Sequence, residues 1–559
     1  MTYDLTTDSK EESPEAESAL TLDDVLGTVS QVGGTGATIA LVDHLPTPMR
    51  VGDLLAVLTG NSFFIAEVTT LRISPSGTEA DVALLATVDT ALLSITPGIT
   101  HTPRTGSPAY RPSTTLLKAF LEDRRSLFED LTHTVSIQLG ASPLSPSHPL
   151  AFPPEKLFGR HCAVVGTSGS GKSWSLARLI EECADLHGKV ILIDPSGEYR
   201  TLEGAVRHLH IGSTPGPIAY STKVELPYYQ LTEADLVAVL KPTTATQITK
   251  LRAAIRSLKL LNFDPRLGVE GALPKAHRLK TPFELAFAHY HDDVCRPENT
   301  FNIHNLAMQV GLECVDPIRS HTESNYWGGL NATDHNDCVP LISKLEDLIH
   351  SRDLDSIVRP SQGESLLHAT EEFLRDPSLS VLRVSCEYLP TINRVREIVS
   401  NALARHLLGL ARAGRFASSP LILALDEAHQ MLPTSSSLLS HEYPLEAFSI
   451  IAKEGRKYGL TLCVATQRPR DIPDDVLSQV GTFLVHRLVS DADRHAIERA
   501  SGGVNEALQN RLPSLAPGEA FLIGVDFHNP LRLKVEQPSQ PPVSNGPDFQ
   551  GSWGAATLQ

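Results

Sequence analysis

Long apolar runs are missing from this 559-residue sequence, and none approaches the ~20 residues that a membrane-spanning helix needs. The opening stretch, MTYDLTTDSKEESPEAES, is acidic, whereas a secretory signal is basic and then apolar. From these two absences we expect a cytoplasmic protein that makes no contact with a membrane.

Cysteine is also scarce and irregularly spaced. The seven cysteines are Cys162, Cys183, Cys295, Cys314, Cys338, Cys386 and Cys463. Their number is odd and no Cys-x-x-Cys pair occurs, so the sequence predicts neither a disulfide framework nor a zinc site. We expect all of them to be reduced thiols.

Positive charge is in deficit, because 48 Lys and Arg residues face 65 Asp and Glu residues, for a net charge of −17 at pH 7. This balance excludes a protein that coats DNA over its whole outer surface, since phosphate binding needs a cationic face. It permits a ring that places a few Lys and Arg in a channel, with an acidic exterior that limits non-specific binding. Apolar residues make up 41%, as in a globular protein.

Composition and periodicity divide the chain into six segments. They are an acidic tail (1–24), a small β-barrel of about five strands (25–108), a helix with a proline-rich linker (109–154), an α/β core in two parts (155–240 and 381–536), a helical insertion (241–380) and an extended C-terminal tail (537–559). In the core, apolar strand-like runs alternate with helical patterns, which predicts a parallel sheet covered by helices.

A complete phosphate-binding loop lies between the apolar run CAVVG and the helical run SWSLARLI. Its residues are Gly166, Thr167, Ser168, Gly169, Ser170, Gly171, Lys172 and Ser173, and we count the following Trp174 with them as nucleotide-binding. The glycines let successive backbone N–H groups turn around phosphates, and the helix N-terminus adds a favourable dipole. Lys172 would neutralise the β- and γ-phosphates and Ser173 would ligate Mg²⁺, so we expect ATP and Mg²⁺ as ligands.

The run LILALDE predicts a buried strand that ends in Asp426 and Glu427, at the sheet edge where α/β folds place their chemistry. Asp426 would hold Mg²⁺ and Glu427 would activate the attacking water, which together with the phosphate loop predicts ATP hydrolysis. Alternatively, the two carboxylates could cap a helix. The letters Asp-Glu-Ala-His429 also spell the box of a helicase superfamily, but the distal motif of that superfamily is absent, so we treat His429 as a coincidence.

Further polar residues lie near the ends of other core strands. Gln467 ends the run LTLCVATQ and would sense the γ-phosphate or cap the strand. Arg456 lies in the preceding cationic turn and is either an arginine finger that acts on ATP in a neighbouring subunit or a solvated surface charge. Arg487 is the second candidate for the finger. Asp194 and Glu198 would order the site, couple it to DNA, or form a turn.

The motifs GTSGSGKS, IDPSGEY, LALDEAHQML, AKEGRKYGL, ATQRP and VHRLVSDADRHAI together resemble the HerA and FtsK-related ATPases, over roughly residues 160–533. The preceding barrel resembles the N-terminal barrel of that family. The resemblance implies a RecA-like P-loop core in a homo-hexameric ring, which threads double-stranded DNA through its channel and binds ATP at subunit interfaces.

Residue by residue, the resemblance implies roles for seven side chains. It puts Lys172 and Ser173 on the nucleotide, Asp426 and Glu427 in the hydrolytic site, Gln467 as sensor, Arg456 as finger in trans, and Arg160 as an arginine that reaches the nucleotide. Ser168 replaces a frequent Thr of the family and Ser196 a frequent His, and neither change removes a needed group. The segment 241–380 is poorly matched, so no DNA-contacting residues are carried over.

HerA-like proteins work with a nuclease, in DNA-end processing in archaea and in bacterial defence against phage. No nuclease constellation occurs in this sequence, so a cutting activity would belong to a partner docked on the N-terminal barrel, unless the barrel serves ring assembly alone. Two functions stay open at this point: a processive DNA translocase or helicase, and a nucleotide-controlled scaffold that activates an effector nuclease. A GTPase and an ABC ATPase are disfavoured because their guanine and signature motifs are missing.

Overall fold

The computed structural model describes residues 24–543 except 35, 44, 46, 61, 75–76, 91, 93, 100, 123, 125–134, 297–298, 352–353, 359–362, 392–393, 433–444 and 503–505. The chain divides into two compact units, Met1–Glu182 with Val480–Pro538 and Cys183–Gln479 with Ser539–Gln559. Most of the two predicted tails, and the second half of the predicted linker helix, lie outside the described residues. The six predicted segment boundaries stay predictions.

Twenty strands occur in the described part of the chain. They are β1 Val25–Val32, β2 Gly36–Leu41, β3 Leu54–Thr59, β4 Ser62–Ser74, β5 Gly77–Asp89, β6 Ser94–Pro97, β7 Pro108–Tyr110, β8 Ile137–Ala141, β9 Pro149–Phe152, β10 Cys162–Val165, β11 Lys189–Asp194, β12 Val206–Ile211, β13 Thr222–Glu225, β14 Glu364–Ser365, β15 Val381–Ser385, β16 Leu421–Leu425, β17 Leu460–Thr466, β18 Thr482–Val485, β19 Glu519–Gly524 and β20 Phe527–Val535.

The α-helices of the same described residues are numbered separately. They are α1 Thr114–Leu121, α2 Pro154–Phe158, α3 Lys172–Asp185, α4 Glu233–Leu240, α5 Ala245–Phe263, α6 Thr281–His289, α7 His291–Cys295, α8 Leu306–Leu312, α9 Ala332–His350, α10 Asp355–Val358, α11 Leu366–Arg375, α12 Val395–Arg412, α13 Ala447–Glu454, α14 Asp474–Leu477, α15 Asp491–Ser501 and α16 Glu506–Arg511. None of the described helices is both long and apolar enough to span a membrane.

The N-terminal strands form a closed barrel. Seven strands run in the order β2-β1-β7-β3-β4-β5-β6. An additional β2–β5 pairing closes six of them into a barrel, and β6 pairs with β5 without being part of the closed ring. Alternating residues of β5 are buried, and Ile39, Val57 and Phe64 form part of the interior. The predicted small β-barrel is confirmed. It has more strands than the five or so expected, because β6 and β7 are too short to show alternation in the sequence.

The first unit also contains the strand that precedes the phosphate loop. β10 pairs in parallel with β18, from Cys162 opposite Thr482 to Val165 opposite Val485, and both strands are fully buried. From β18 the sheet continues through β19, β20, β8 and β9, each pair antiparallel. The sequence did not predict these antiparallel strands, which bring residues 137–141 beside residues 534–535.

The second unit is an α/β layer with seven strands in the order β14-β13-β12-β15-β11-β16-β17, all parallel. β15 and β17 are buried at every position, as expected for a sheet covered on both faces. Between β13 and β15 the chain is almost wholly helical, and α5, α8 and α9 pack against one another there. The predicted α/β fold with a helical insertion is confirmed.

A buried ion pair joins two central strands of the second unit. Arg383 on β15 donates from Nε to a carboxylate oxygen of Asp194, at the end of β11, over 2.8 Å, and the exposed fractions of the two side chains are 1% and 0%. The same carboxylate accepts the backbone N–H groups of Ser196, Gly197 and Tyr199 at 2.8–3.2 Å. Asp194 therefore forms the turn that was one of its three predicted roles.

Removing the guanidinium should leave the buried Asp194 carboxylate without its counter-charge. We expect Arg383→Leu to lower the free energy of unfolding by about 3 kcal/mol or more, measured by urea denaturation. Arg207→Leu is the matched control, because Arg207 lies on the neighbouring β12 and pairs with Glu364 and the partly exposed Glu372. The control should cost no more than about 1 kcal/mol. Equal losses in both variants would contradict the central role of the buried pair.

Candidate nucleotide site

The phosphate loop has the backbone shape that its glycines predict. Gly169 and Gly171 have φ angles of 72° and 109°, in the left-handed region that residues with a Cβ rarely adopt. The Ser170 N–H donates to the Thr167 carbonyl at 3.1 Å, and α3 begins immediately afterwards at Lys172, whose side chain is buried. The loop therefore lies at the N-terminus of a 14-residue helix, where the helix dipole favours anions.

Two neighbouring segments of the first unit hold this loop in place. Thr167 donates both its backbone N–H and its hydroxyl to the carbonyl of Arg487, over 2.9 and 3.0 Å. On the other side, the Gly518 N–H donates to the Ser170 carbonyl over 2.9 Å. A Cβ at Gly171 would lie 3.0 Å from the Gly518 nitrogen, so this close approach also depends on glycine.

His486, which directly follows β18, lies beneath the loop. Its Nδ1 is 2.9 Å from the carbonyl of Glu519, and its Nε2 is 2.8 Å from the Ser175 hydroxyl in the first turn of α3. Because a carbonyl can only accept, Nδ1 carries the proton and Nε2 accepts from Ser175. A Cβ at Gly166 would lie 2.6 Å from the His486 Cβ, so this close approach of the loop to His486 depends on glycine.

The electrostatic environment keeps the His486 ring neutral. Burial lowers the pKa of His486 from its ordinary 6.5 to about 4, and the nearby charge of Lys172 acts in the same direction. A neutral ring with one donor and one acceptor satisfies both neighbours without placing a second positive charge under the phosphate loop. His486 therefore supports the loop by packing and hydrogen bonds, and Lys172 supplies the positive charge at the loop.

Arg487 and Arg160, the two arginines of the first unit that are predicted site residues, lie in different places. Arg487 is half-buried next to its own chain's loop, and its buried Nε has no hydrogen-bond partner among the described residues. Arg160 is exposed, lies 3.9 Å from the Asp526 carboxylate, and precedes β10, whereas the loop follows that strand. A four-residue strand spans about 13 Å, so Arg160 lies away from the loop of its own chain. Its predicted contact with nucleotide stays a prediction.

In the second unit, the predicted carboxylates follow β16 as expected. Asp426 is fully buried, and its N–H donates to the carbonyl of Ile193 over 3.1 Å. Glu427 adopts a φ of 41°, which is uncommon for a residue with a side chain and costs roughly 1 kcal/mol or more. Such strain persists where the surrounding structure imposes it, often at functional sites. The turn Ala428–Gln430 follows directly.

Gln467 and Arg456 lie at opposite ends of the next strand, β17. Gln467 follows the strand on the same edge as Glu427, because β16 and β17 are parallel. Arg456 lies in the turn Gly455–Tyr458 before the strand, with its side chain exposed. Within the described part of the chain, the Arg456 guanidinium has neither a hydrogen bond nor an ion pair. The structure thus brings Gln467 to the edge with the carboxylates and leaves Arg456 directed to solvent.

The loop and its surroundings fit a nucleoside triphosphate. Positive-φ glycines expose backbone N–H groups, Lys172 supplies a cation, and the buried Ser170 hydroxyl has no hydrogen-bond partner among the residues described. The Ser173 hydroxyl and the Asp426 carboxylate are the kinds of oxygen ligand that Mg²⁺ takes. Each donor set therefore matches the chemistry predicted for it.

A loop of this shape between a buried parallel strand and a helix, with paired carboxylates ending another buried strand, defines a P-loop ATPase. The family model for the central domain of the helicase HerA matches residues 137–368, a stretch that includes the whole loop. The chain is thus an ATP-hydrolysing enzyme related to the HerA helicases, and the predicted resemblance is confirmed.

The chain is also similar to individual proteins that are named HerA. The DNA double-strand break repair helicase HerA of Saccharolobus solfataricus is 23% identical over 398 residues, covering 71% of this chain and 68% of that protein. The protein of the same name from Sulfolobus acidocaldarius is 28% identical, covering 71% and 69%. The chain is also similar to the solved plasmid coupling protein TrwB, which covers 74% of this chain and 93% of its own at 15% identity, with a TM-score of 0.45.

Two histidines in the sites were missed by the sequence analysis. His486 follows the apolar run TFLV directly, and a polar residue in that place indicates a side chain at the end of a buried strand. His429 was treated as a coincidence, yet its Nδ1 lies 3.3 Å from the Glu427 carboxylate. A contact between side chains two residues apart in a turn cannot be read from spacing alone.

The His486 pKa makes stability depend on pH in a defined direction. Between the unfolded value of about 6.5 and the folded value of about 4, the unfolded chain binds the proton more tightly. The contribution of His486 is therefore complete above about pH 6.5 and is lost as the pH falls toward 4. We expect His486→Gln, which cannot titrate, to flatten the fall of the thermal unfolding midpoint in this window.

The control for that measurement is Ser175→Ala, which removes one hydrogen bond but keeps the titrating ring. It should lower the midpoint at neutral pH and retain the wild-type dependence on pH. Parallel pH curves for wild type and His486→Gln would show that the ring is not buried in its neutral form.

Proposed function

We propose that this protein is an ATP-dependent translocase or helicase that acts on double-stranded DNA as a homo-hexameric ring. The observation that carries the proposal is the phosphate loop held in its nucleotide-binding shape, within the stretch that matches the HerA central domain. Relatives whose names describe DNA double-strand break repair helicases support DNA as the partner.

In this proposal the loop residues bind ATP and the carboxylates hydrolyse it. The loop N–H groups and Lys172 bind and neutralise the phosphates, with Trp174 on the same first turn of α3. Ser173 and Asp426 would hold Mg²⁺, which when bound neutralises charge on the phosphate oxygens. Glu427 orients a water molecule and accepts its proton as the water attacks the γ-phosphorus, while the bond from that phosphorus to the β–γ bridging oxygen breaks and ADP leaves. The backbone strain at Glu427 limits the directions in which its carboxylate can point.

The two arginine candidates receive different roles. The Arg487 carbonyl holds its own chain's loop, so we assign its guanidinium to nucleotide bound by the same chain. Arg456 is exposed, and no described residue of its own chain pairs with it, which suits a finger that enters the site of the neighbouring subunit. Gln467, at the edge where Glu427 lies, would report the presence of the γ-phosphate.

A partner nuclease would use the N-terminal barrel. The outer strand β6 pairs only with β5 among the described strands, so its other edge is open to an added strand from a partner. With a nuclease in place, the motor would feed DNA to it in DNA-end processing or in defence against phage. The net charge of −17 is consistent with DNA held inside a channel and not on the exterior.

The first test is steady-state ATP hydrolysis with and without linear duplex DNA, at low and moderate salt, because phosphate contacts weaken with salt. We expect stimulation that increases with DNA length. Glu427→Gln should bind ATP yet hydrolyse it at least about 100-fold more slowly, and Lys172→Ala should lose nucleotide affinity. Hydrolysis that is indifferent to DNA but rises with a partner nuclease would instead support a nucleotide-controlled scaffold.

The ring predicts complementation between subunits. Arg456→Ala impairs the neighbour's site, while Glu427→Gln impairs its own, so mixed rings contain some interfaces with both intact halves. Mixing the two inactive variants should therefore restore part of the ATP hydrolysis. Lys457→Ala, which changes the adjacent exposed cation, is the control and should retain full activity without mixing. No recovery at any ratio would rule out Arg456 as a finger in trans.

A further inference from the structure

His429 lies between the hydrolytic carboxylate and the end of the neighbouring strand. Its Nδ1 is 3.3 Å from Oε2 of Glu427 and 3.2 Å from the Thr466 hydroxyl, the last residue of β17. The side chains of His429 and Glu427 are 13% and 15% exposed, and Thr466 is fully buried. One ring nitrogen therefore faces both the carboxylate and the strand end in a largely dehydrated place.

The acceptors around this nitrogen decide where its proton lies. A carboxylate can only accept, so an unprotonated Nδ1 would place two lone pairs against each other. The Thr466 hydroxyl can accept from His429, even though it already accepts the Arg468 N–H over 3.0 Å. With the proton on Nδ1, the ring donates to the Thr466 hydroxyl and turns the positive end of its N–H toward the Glu427 carboxylate 3.3 Å away. Charge–charge attraction adds to the second contact whenever the ring is charged.

The backbone around His429 is fixed independently of its ring. The Gln430 N–H donates to the carbonyl of Glu427 over 2.8 Å, which closes the turn that begins at the strained φ of 41°. The Gln430 side-chain oxygen accepts from Arg396 of α12 over 2.8 Å. The turn therefore presents the His429 ring to Glu427 at a set distance.

We propose that His429 is a positioning residue for hydrolysis. It fixes the orientation of the Glu427 carboxylate and links that carboxylate to Thr466. This inference rests on the proposed hydrolytic role of Glu427. Thr466 directly precedes Gln467, so the His429–Thr466 hydrogen bond and the His429–Glu427 contact together connect the carboxylate to the residue that would sense the γ-phosphate. A shift of the Gln467 backbone on binding or loss of that phosphate then reaches Glu427 through Thr466 and His429. The connection makes the direction of the carboxylate depend on the state of the nucleotide.

The test compares two substitutions at His429 that differ in one donor. His429→Asn keeps an N–H near the position of Nδ1, whereas His429→Leu has a similar volume and no donor. We expect His429→Leu to lower kcat about 10- to 100-fold with little change in KM for ATP, and His429→Asn to recover most of the rate. Full activity in His429→Leu, or equal losses in both variants, would overturn the proposal.

Three readouts that do not depend on turnover separate positioning from folding. A fluorescent ATP analogue should bind both variants as tightly as wild type, and their thermal unfolding midpoints should be close to each other. In nucleotide-free crystals, the Glu427 carboxylate should be displaced in His429→Leu and should keep its wild-type place in His429→Asn. A carboxylate that stays in place in His429→Leu, or lost nucleotide affinity, would also overturn the proposal.

The link to Thr466 has its own measurement. Thr466→Val removes the hydroxyl at constant shape, and we expect its loss of kcat to be non-additive with that of His429→Leu. Additive losses would overturn the link. If wild type hydrolyses ATP but Glu427→Gln is equally active, the hydrolytic role of Glu427 fails. If Glu427→Gln is inactive and His429→Leu is fully active, only the positioning role of His429 fails.

Discussion

Buried parallel strands end in polar residues both at the phosphate loop and at the carboxylates after β16, and the polar groups at these strand ends need partners. Each such strand delivers a side chain or peptide group to a place with little water, where an unsatisfied polar group costs about 1–3 kcal/mol. The chain meets this cost differently at each strand end. Asp194 receives three N–H groups and a guanidinium, His486 has one donor and one acceptor beside it, and the Glu427 carboxylate lies beside His429. The buried Ser170 hydroxyl has no hydrogen-bond partner among the described residues, which suits it to bind a ligand.

The sequence predicted those features whose signal is local. The glycine loop has a fixed spacing, the barrel strand β5 alternates over most of its 13 residues, and β16 is an unbroken apolar run before two carboxylates. These patterns are set by backbone geometry and the pleat of a strand, so a few neighbouring residues suffice to recognise them. The α/β class, the barrel and the phosphate loop could therefore be anticipated, whereas the roles of the individual side chains are proposals.

The remaining features depend on partners distant in sequence. Arg383 interrupts an apolar strand and gives no local hint that Asp194 lies beside it, 189 residues away. His486 and Ser175 are 311 residues apart, and the pairing of β8 with β20 joins residues 140–141 to residues 534–535. Such pairs are fixed by the packing of the sheet. The sequence leaves three roles open for Asp194 and indicates none for His486, and the contacts in the structure show the turn at Asp194 and the support of the loop by His486.

The contacts behind the phosphate loop also set when this protein becomes competent during its synthesis. The loop occupies residues 166–173, but the Gly518 N–H and the Glu519 carbonyl, which brace it and its supporting histidine, are made some 345 residues later. A chain still emerging from the ribosome has the loop long before it has these braces. The loop therefore gains these supporting contacts only after β19 has been translated.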